Sequence, residues 1–523
     1  MMKCGMYRDI AECSKSQQID LESSDNKTMD RQTMYCIPIP AETAWVKETY
    51  ADKAGVKVHA STSQIPLRNK CSLDEESEDV ALETTELPVN DHSVVDSKRT
   101  RTDNPSGSSA SVGHDLNFPL QCEKGTACLV KIYDDIDQFK VNDMVEFIGV
   151  LSVDPALAQF NQENEELQFG IEGYKPPVEE MNAHAPPPSL VPRLHAVLCH
   201  KLSHNNPIVP QSKDSDEYKA KFLELEQEIE SLRGRIIELL EHVCLGDKLS
   251  AEFFLLHLLS SVYARADVIP LGKFGLNLSQ CPKTPKYGQL IQMFISGLLS
   301  QSHLFPLSIE NMNSLRLNPE KDYTANRLKS GMLQLPERTS LVIDETVLQP
   351  GQLEANGVKN MTSLGNLIKW QKVEYDFSFH RQDFMANVAV LILSEAKSIL
   401  PSDCLLPMKP EVAPEDFVAH FNQLEAGMTS ELMTKIRTYI TLAQQIEYSL
   451  NDEMQKIVQD DFVEIRKVDN KNMTVDDFHH LLGVARLLSI SYLKSSPTQT
   501  LWRRAKNLDA ERKRRINQVT QSH

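Results

Sequence analysis

Two short stretches constrain the fold of this chain more than anything else in it. Leu341-Val342-Ile343, inside Ser340–Asp344, and Val388-Ala389-Val390-Leu391-Ile392-Leu393 are apolar at almost every position. A strand with one solvated face alternates apolar and polar residues. A continuous apolar run needs cover on both faces, as a central strand has in a parallel sheet clad with helices. The flanking sequence supplies those layers. Strand patterns at Phe274–Leu278, Leu304–Ile309, Ser340–Asp344, Val373–Phe379 and Asn387–Leu393 alternate with helical patterns at Tyr287–Leu299, Tyr323–Leu335 and Met361–Trp370. Such alternation predicts an α/β core with a mostly parallel sheet. Ala251–Tyr263, apolar nearly all round, predicts a buried helix beside it.

Residues 215–244 precede the core as one long helix. Phe222, Leu225, Ile229, Leu232, Ile236, Leu239 and Val243 recur at spacings of three and four. This stripe fits a short coiled coil with a partner or a helix packed on its own domain. At about three heptads it is short for a coiled coil, which favours the second reading. After Pro414 the chain turns helical. Thr429–Leu450 carries Leu432, Ile436, Tyr439, Ile440, Ala443 and Ile446 on one face. Thr474-Val475-Asp476-Asp477 is a capping-box pattern, and the helix it opens buries Phe478, Leu481, Leu482, Ala485, Leu487 and Leu488. The tail, from Arg503-Arg504 to Arg512-Lys513-Arg514-Arg515, is basic. It reads as a solvated helix end, a nuclear signal or a contact for an acidic partner.

The first 60 residues are mixed, and Tyr35–Pro40 reads as a strand ended by prolines. Residues 61–113 hold the acidic run Asp74–Asp79, the basic run Lys98–Arg101 and a serine-rich stretch, with few apolar residues. Such a segment buries too little surface to offset ordering entropy, so it reads as a disordered acidic linker. Lys98–Arg101 reads equally as an import signal or a solvated cluster. Strands are expected at Ala127–Tyr133, Met144–Val153 and Arg193–Leu202. In the second, Val145, Phe147, Gly149, Leu151 and Val153 are expected to share a face, with a bend at Gly149. In the third, Leu194, Ala196, Leu198 and Leu202 alternate. Together they predict a small OB-like β-domain at 114–206 with a proline-rich insertion at Lys175–Ser189.

Composition excludes several function classes. The chain has 523 residues and a formal net charge of −18, so it repels phosphate backbones overall and is not built for non-specific DNA binding. A partner with basic surfaces fits it better. The 10 cysteines form no C-x-x-C pair, and read as reduced thiols. The N-terminus has no apolar signal region. The most apolar run, Phe253–Val262, is far short of a membrane span and contains His257. His195, Cys199, His200 and His204 lie close in sequence, but neighbours on a strand face opposite ways, so no metal site is expected.

One constellation suggests catalysis. Ser340–Glu345 has the form of a Walker B strand, in which an Asp holds Mg²⁺ and a Glu polarises water. That chemistry needs a glycine-rich loop whose amides cradle phosphates, and G-x-x-x-x-G-K-[ST] does not occur. Leu245–Ser250 lacks the second glycine. Leu271-Gly272-Lys273-Phe274 has Phe where a metal-binding hydroxyl belongs. The sensor position after Leu393 reads Ser394-Glu395, whose carboxylate would repel a γ-phosphate, and no arginine finger follows. Asp344 and Glu345 are therefore expected to be vestigial, with no cofactor and no metal. A rival reading keeps them as the centre of an unorthodox ATPase. A second rival is an adaptor acting through the acidic segment and the heptad helix.

Several blocks in one order resemble the mini-chromosome maintenance (MCM) complex-binding protein family. They are Lys131–Asp135, Phe139–Asp143, Leu151–Pro155, Asp322–Leu328, Leu333–Pro336, Thr339–Thr346, Trp370–Val373, Phe462–Lys467 and Val484–Arg486. The resemblance implies a degenerate likeness of an MCM subunit: an OB-like β-domain, an AAA-like α/β core at 207–412 without a working nucleotide site, and a helical domain at 413–523. It implies binding to MCM helicase subunits in the nucleus, indirect association with chromatin, release of MCM complexes late in S phase and a part in sister chromatid cohesion. It implies neither a membrane nor a small-molecule substrate. The family carries a longer N-terminal β-rich region, so residues 1–60 are expected to be a shortened first segment.

Overall fold

The computed structural model describes residues 2–12, 27–53, 115–121, 123, 125–134, 138–152, 180, 183–184, 186, 190–468 and 474–522. The acidic segment 61–113, Val153 and most of the proline-rich stretch lie outside the described residues.

Strands β1 (Met2–Glu12) and β2 (Lys27–Cys36) pair antiparallel, and helix α1 (Ala44–Lys53) follows. β3 (Cys128–Ile132), β4 (Val145–Ser152) and β5 (Arg193–Lys201) join them in a sheet ordered β1-β2-β3-β5-β4. The sheet therefore draws on both the 1–60 and the 114–206 segments. β4 departs from the single face expected of it. Ile148 pairs with Leu198 but Gly149 pairs with Ala196, which leaves Val197 as an extra residue in β5. A Cβ on Gly149 would lie 2.0 Å from the His195 carbonyl oxygen, so the bulge requires glycine there. Val145 and Phe147 pack on the core cluster, whereas Leu151, past the bulge, is 68% exposed.

The long helix α2 (Asp216–Val243) starts at Ser215, whose hydroxyl accepts the Tyr218 amide, and α3 (Lys248–Leu258) follows a tight turn. The expected buried helix thus lies a few residues earlier than its apolar run, because Asp247 caps it. The heptad residues of α2 face the core of this same chain: Leu225, Ile229, Leu232, Ile236, Leu239 and Val243 are buried there, and Phe222 packs against it. A small hairpin, β6 (Ala264–Ala266) with β7 (Ile269–Leu271), leads into the α/β region. That region runs β8 (Leu276–Ser279), α4 (Pro285–Leu298), β9 (Ser302–Pro306), α5 (Ile309–Ser314), β10 (Glu320–Asp322), β11 (Arg327–Lys329), β12 (Thr339–Asp344), α6 (Ala355–Trp370), β13 (Lys372–Asp376), β14 (Arg381–Met385), β15 (Val388–Leu393) and β16 (Cys404–Pro407).

β16-β8-β15-β12-β9 form an all-parallel sheet. Its central strands are covered on both faces, as their apolar runs demand. Val342, Leu391 and Leu393 join α2, α3 and α4 in one cluster, and Leu341, Ile343, Val390 and Ile392 join Leu364, Leu367 and Ile368 of α6 in another. The second sheet, β11-β10-β13-β14, replaces the helix expected at Tyr323–Leu335. There Asp322 Oδ1 accepts the Thr324 and Ala325 amides, and Asn326 takes a positive φ of 45°, which closes a β10–β11 turn. Leu333 and Leu335 are buried through the loop that follows, where a Cβ on Gly331 would meet the Leu317 carbonyl oxygen at 2.4 Å.

The C-terminal region is helical: α7 (Phe417–Ala426), α8 (Ser430–Ala443), α9 (Asp452–Val468), α10 (Val475–Ile490) and α11 (Gln499–Ser522). The capping box at Thr474 and Asp477 forms as read. α8 stops at Ala443, short of the expected Leu450. Buried residues of α8, α10 and α11 belong to the same cluster as α2 and α3.

Candidate functional site

In an open parallel sheet, ligands bind beyond the carboxyl ends of the strands, where the strand order reverses. Here that place is the end of β8, β15 and β12. The three adjacent strands bring together the β8–α4 loop, Ser394-Glu395 and Asp344-Glu345.

The β8–α4 loop, Gln280-Cys281-Pro282-Lys283-Thr284-Pro285, stands where a strand–loop–helix motif would hold phosphates on free amides. Three of its amides are engaged elsewhere. Gln280 N–H donates to Glu395 O at 3.1 Å, Cys281 N–H to Ser394 O at 3.0 Å and Thr284 N–H to Pro282 O at 2.8 Å. Pro282 and Pro285 have no N–H. Pro285 opens α4, and the Thr284 side chain makes no capping bond. Tyr287, at the third residue of the helix, is buried and donates its hydroxyl to Val243 O at 3.1 Å.

Asp344 ends β12 at 2% exposure. Its Oδ1 accepts the Thr346 amide at 3.0 Å and the Thr346 hydroxyl at 2.7 Å. Its Oδ2 lies against α4 so closely that a Cβ on Gly288 would fall 2.4 Å from it. Burial pushes the Asp344 carboxyl up from its ordinary range, and the Thr346 bonds oppose that shift. Glu345 accepts the Ser398 hydroxyl and the Ile399 amide, the latter at 3.1 Å. Burial raises it too, against those two bonds. Asn277 Nδ2 donates to the Ser394 hydroxyl at 2.8 Å. Glu395 does not stand alone, for Lys283 Nζ lies 3.1 Å from it. Asp344 Oδ1, Glu345, Ser394 and Glu395 at the three strand ends thus each have a partner within the chain.

The two loops singled out by their glycines lie elsewhere in the fold. Leu245–Ser250 is the α2–α3 turn, with Gly246 at φ 87°. Asp247 accepts the Leu249 and Ser250 amides and pairs with Arg515 of α11 at 2.6 Å. Gly272 and Lys273 follow β7, where Lys273 pairs with Asp403. The sequence reading missed the β8–α4 loop because it carries no glycine. The available signal was positional: a strand pattern followed at once by Pro-Lys-Thr-Pro-Lys and a helix.

The His/Cys group does not converge. His195 Nδ1 meets the Tyr133 hydroxyl at 2.5 Å, Cys199 packs on the β-sheet core, and His200 lies 3.7 Å from Glu146. His204 is buried against Pro210 O, and burial pushes it down to about 4. Among the described residues no group of three or more His, Cys, Asp or Glu is placed to hold a metal, and no helix is long and apolar enough to cross a membrane.

A family model described as mini-chromosome maintenance replisome factor matches residues 1–516. The chain belongs to that family. Relatives named mini-chromosome maintenance complex-binding protein align along nearly all of it. The Gallus gallus protein is 45% identical over 533 residues, 98% of this chain and 83% of the relative. The Homo sapiens protein is 44% identical over 536 residues with the same coverage. The Drosophila melanogaster protein is 33% identical over 535 residues, 99% of this chain and 85% of the relative. The match of this replisome-factor family includes both the β-sheet built on β1–β5 and the parallel-sheet core.

Proposed function

We propose that this chain is a non-catalytic nuclear regulator of DNA replication that binds MCM helicase subunits. In this reading it is a degenerate MCM-like protein, with an OB-like β-domain, an AAA-like core and a helical C-terminal domain, and Asp344 and Glu345 are vestiges of a Walker B strand. The observation that carries it is the condition of the core's strand ends. Three neighbouring strands bring the loop, sensor and Walker B positions to one place, as an AAA-type site requires. There the Gln280, Cys281 and Thr284 amides are bonded to backbone, Pro282 and Pro285 carry none, helix α4 lies against Asp344, and Ser398 and Ile399 engage Glu345. These residues do not fit a magnesium-bound triphosphate, which needs free amides and an open carboxylate.

A protein shaped like a ring subunit but without nucleotide acts by binding energy. It shifts the MCM ring between closed and open states only by its difference in affinity for them. Preference for the open state promotes release of MCM complexes from chromatin late in S phase, and through it contributes to sister chromatid cohesion. Chromatin contact is indirect, in keeping with the net charge of −18. The relatives' name supports MCM subunits as the partner. The adaptor reading loses one of its two elements, because the heptad stripe of α2 is buried in its own core.

The test is capture of the tagged chain from S-phase nuclear extract, with and without ATP depletion. MCM subunits are expected in both. Their absence in both contradicts the partner assignment.

A further inference from the structure

The second sheet ends in the β13–β14 turn, Phe377-Ser378-Phe379-His380. Phe379 stands at its tip with 87% of its surface exposed, more than any other large hydrophobic among the described residues. A single exposed apolar residue is ordinary on a protein surface. This one differs in being held out by a braced turn. Ser378 takes a positive φ of 62°, and its amide donates to Asp376 Oδ1 at 2.9 Å. The Phe377 amide donates to His380 O at 3.0 Å, and the Phe377 ring stacks on the His380 ring at 4.9 Å. From the β10–β11 turn, Tyr323 donates its hydroxyl to Phe377 O at 2.6 Å and meets the Phe379 ring edge-on at 5.5 Å. Tyr323 is itself 53% exposed. Two strand turns thus support one aromatic knob.

The charge around the knob narrows what it fits. Nucleic-acid platforms pair aromatic rings with unengaged cations. Here four cations of the sheet sit on carboxylates: Arg381 on Glu374, Lys372 on Asp383, Lys329 on Asp322, Arg327 on Asp115. Lys359 of α6 holds Asp376 at 2.8 Å. Lys321 donates to Asn326 Oδ1. Lys321 also lies 6.0 Å over the Tyr323 ring, behind the tip, and the Phe379 ring itself is apolar, so the complement of the tip is an uncharged apolar socket. A pre-braced aromatic loses little freedom on docking, which is the character of an interface anchor.

We propose that Phe379, buttressed by Tyr323, is an anchor that inserts into an uncharged apolar socket on an MCM subunit; this rests on the partner assignment made above. The test is equilibrium binding of the full chain to purified MCM subunits, using wild type, Phe379→Ala, Phe379→Leu and Tyr323→Ala, with a single-stranded oligonucleotide as a parallel probe. Phe379→Ala is expected to weaken subunit binding by about 30-fold or more, the loss typical of a hot-spot aromatic. Phe379→Leu is expected to retain most binding, and Tyr323→Ala to fall between. Melting temperatures of the two Phe379 variants are expected to match wild type, since Phe379 is exposed, which separates lost docking from lost fold. Wild-type binding that survives Phe379→Ala within about threefold overturns the anchor and leaves the partner assignment standing. Oligonucleotide binding that depends on Phe379 overturns the protein socket in favour of nucleic acid. A wild-type chain that binds no MCM subunit overturns both.

Discussion

Gly288 is where competing residue-scale effects are most sharply set against each other. In a helix interior, Gly→Ala gains about 1 kcal/mol from propensity. At this position the new methyl would meet Asp344 Oδ2 at 2.4 Å. Overpacking of that kind costs about 1–3 kcal/mol, and β12 is too well covered to yield. Gly288→Ala is therefore expected to be destabilising in denaturant unfolding. A stabilised variant would mean that the space beside Asp344 is open. His257 gives a pH dependence. It is fully buried, its Nδ1 lies 2.9 Å from Phe274 O, and burial pushes it down to about 4 from an ordinary 6.5. The unfolded chain therefore binds the proton that the folded chain refuses. Stability is full above about pH 6.5 and falls as pH drops towards 4, by up to about 3 kcal/mol from this residue. Unfolding curves at pH 7.5 and 5 check this, and His257→Gln is expected to reduce the difference, with buried His204, His303 and His480 supplying the rest.

Between elements, the most consequential polar contact joins α2, α3 and α11. Glu252 sits between Arg233 and Arg504, each at 2.5 Å, with Glu252 and Arg233 almost wholly buried. Glu252→Ala leaves Arg233 buried without its counter-charge and is expected to cost about 3–5 kcal/mol. A loss below about 1 kcal/mol would mean that water reaches the guanidinium. Elements with a dense apolar signal were legible from sequence: β12 and β15 from their continuous runs, α2 from its stripe, α10 from its capping box. Tyr323–Leu335 was misread because Leu328, Met332 and Leu335 fall at helical spacing, while the features that decide are local. They are the Asp322 side chain turning the chain, Asn326 at positive φ, and the close approach at Gly331. The β8–α4 loop was illegible for a related reason. Its role follows from which strands lie side by side, and spacing along one chain does not report that.

Across the whole molecule, α11 shows how a sequence motif changes meaning in three dimensions. Four of its basic residues are tied to distant parts of the chain: Arg504 to Glu252, Lys506 to Asp461, Lys513 to Asp477 and Arg515 to Asp247. Trp502 and Ala505 are buried in the main core. Removing residues 499–523 is therefore expected to give a chain that aggregates or melts without cooperativity. A detachable signal would leave a folded, soluble chain, and gel filtration separates the two. The central claim concerns the parallel-sheet core, whose strand ends are closed by the chain itself. Its most direct test is titration of the purified full chain with magnesium-ATP by calorimetry. The expected result is no saturable binding up to about 1 mM, an affinity below about 4 kcal/mol. Stoichiometric binding that disappears in Asp344→Ala would contradict it and make Asp344 and Glu345 working parts of a nucleotide site.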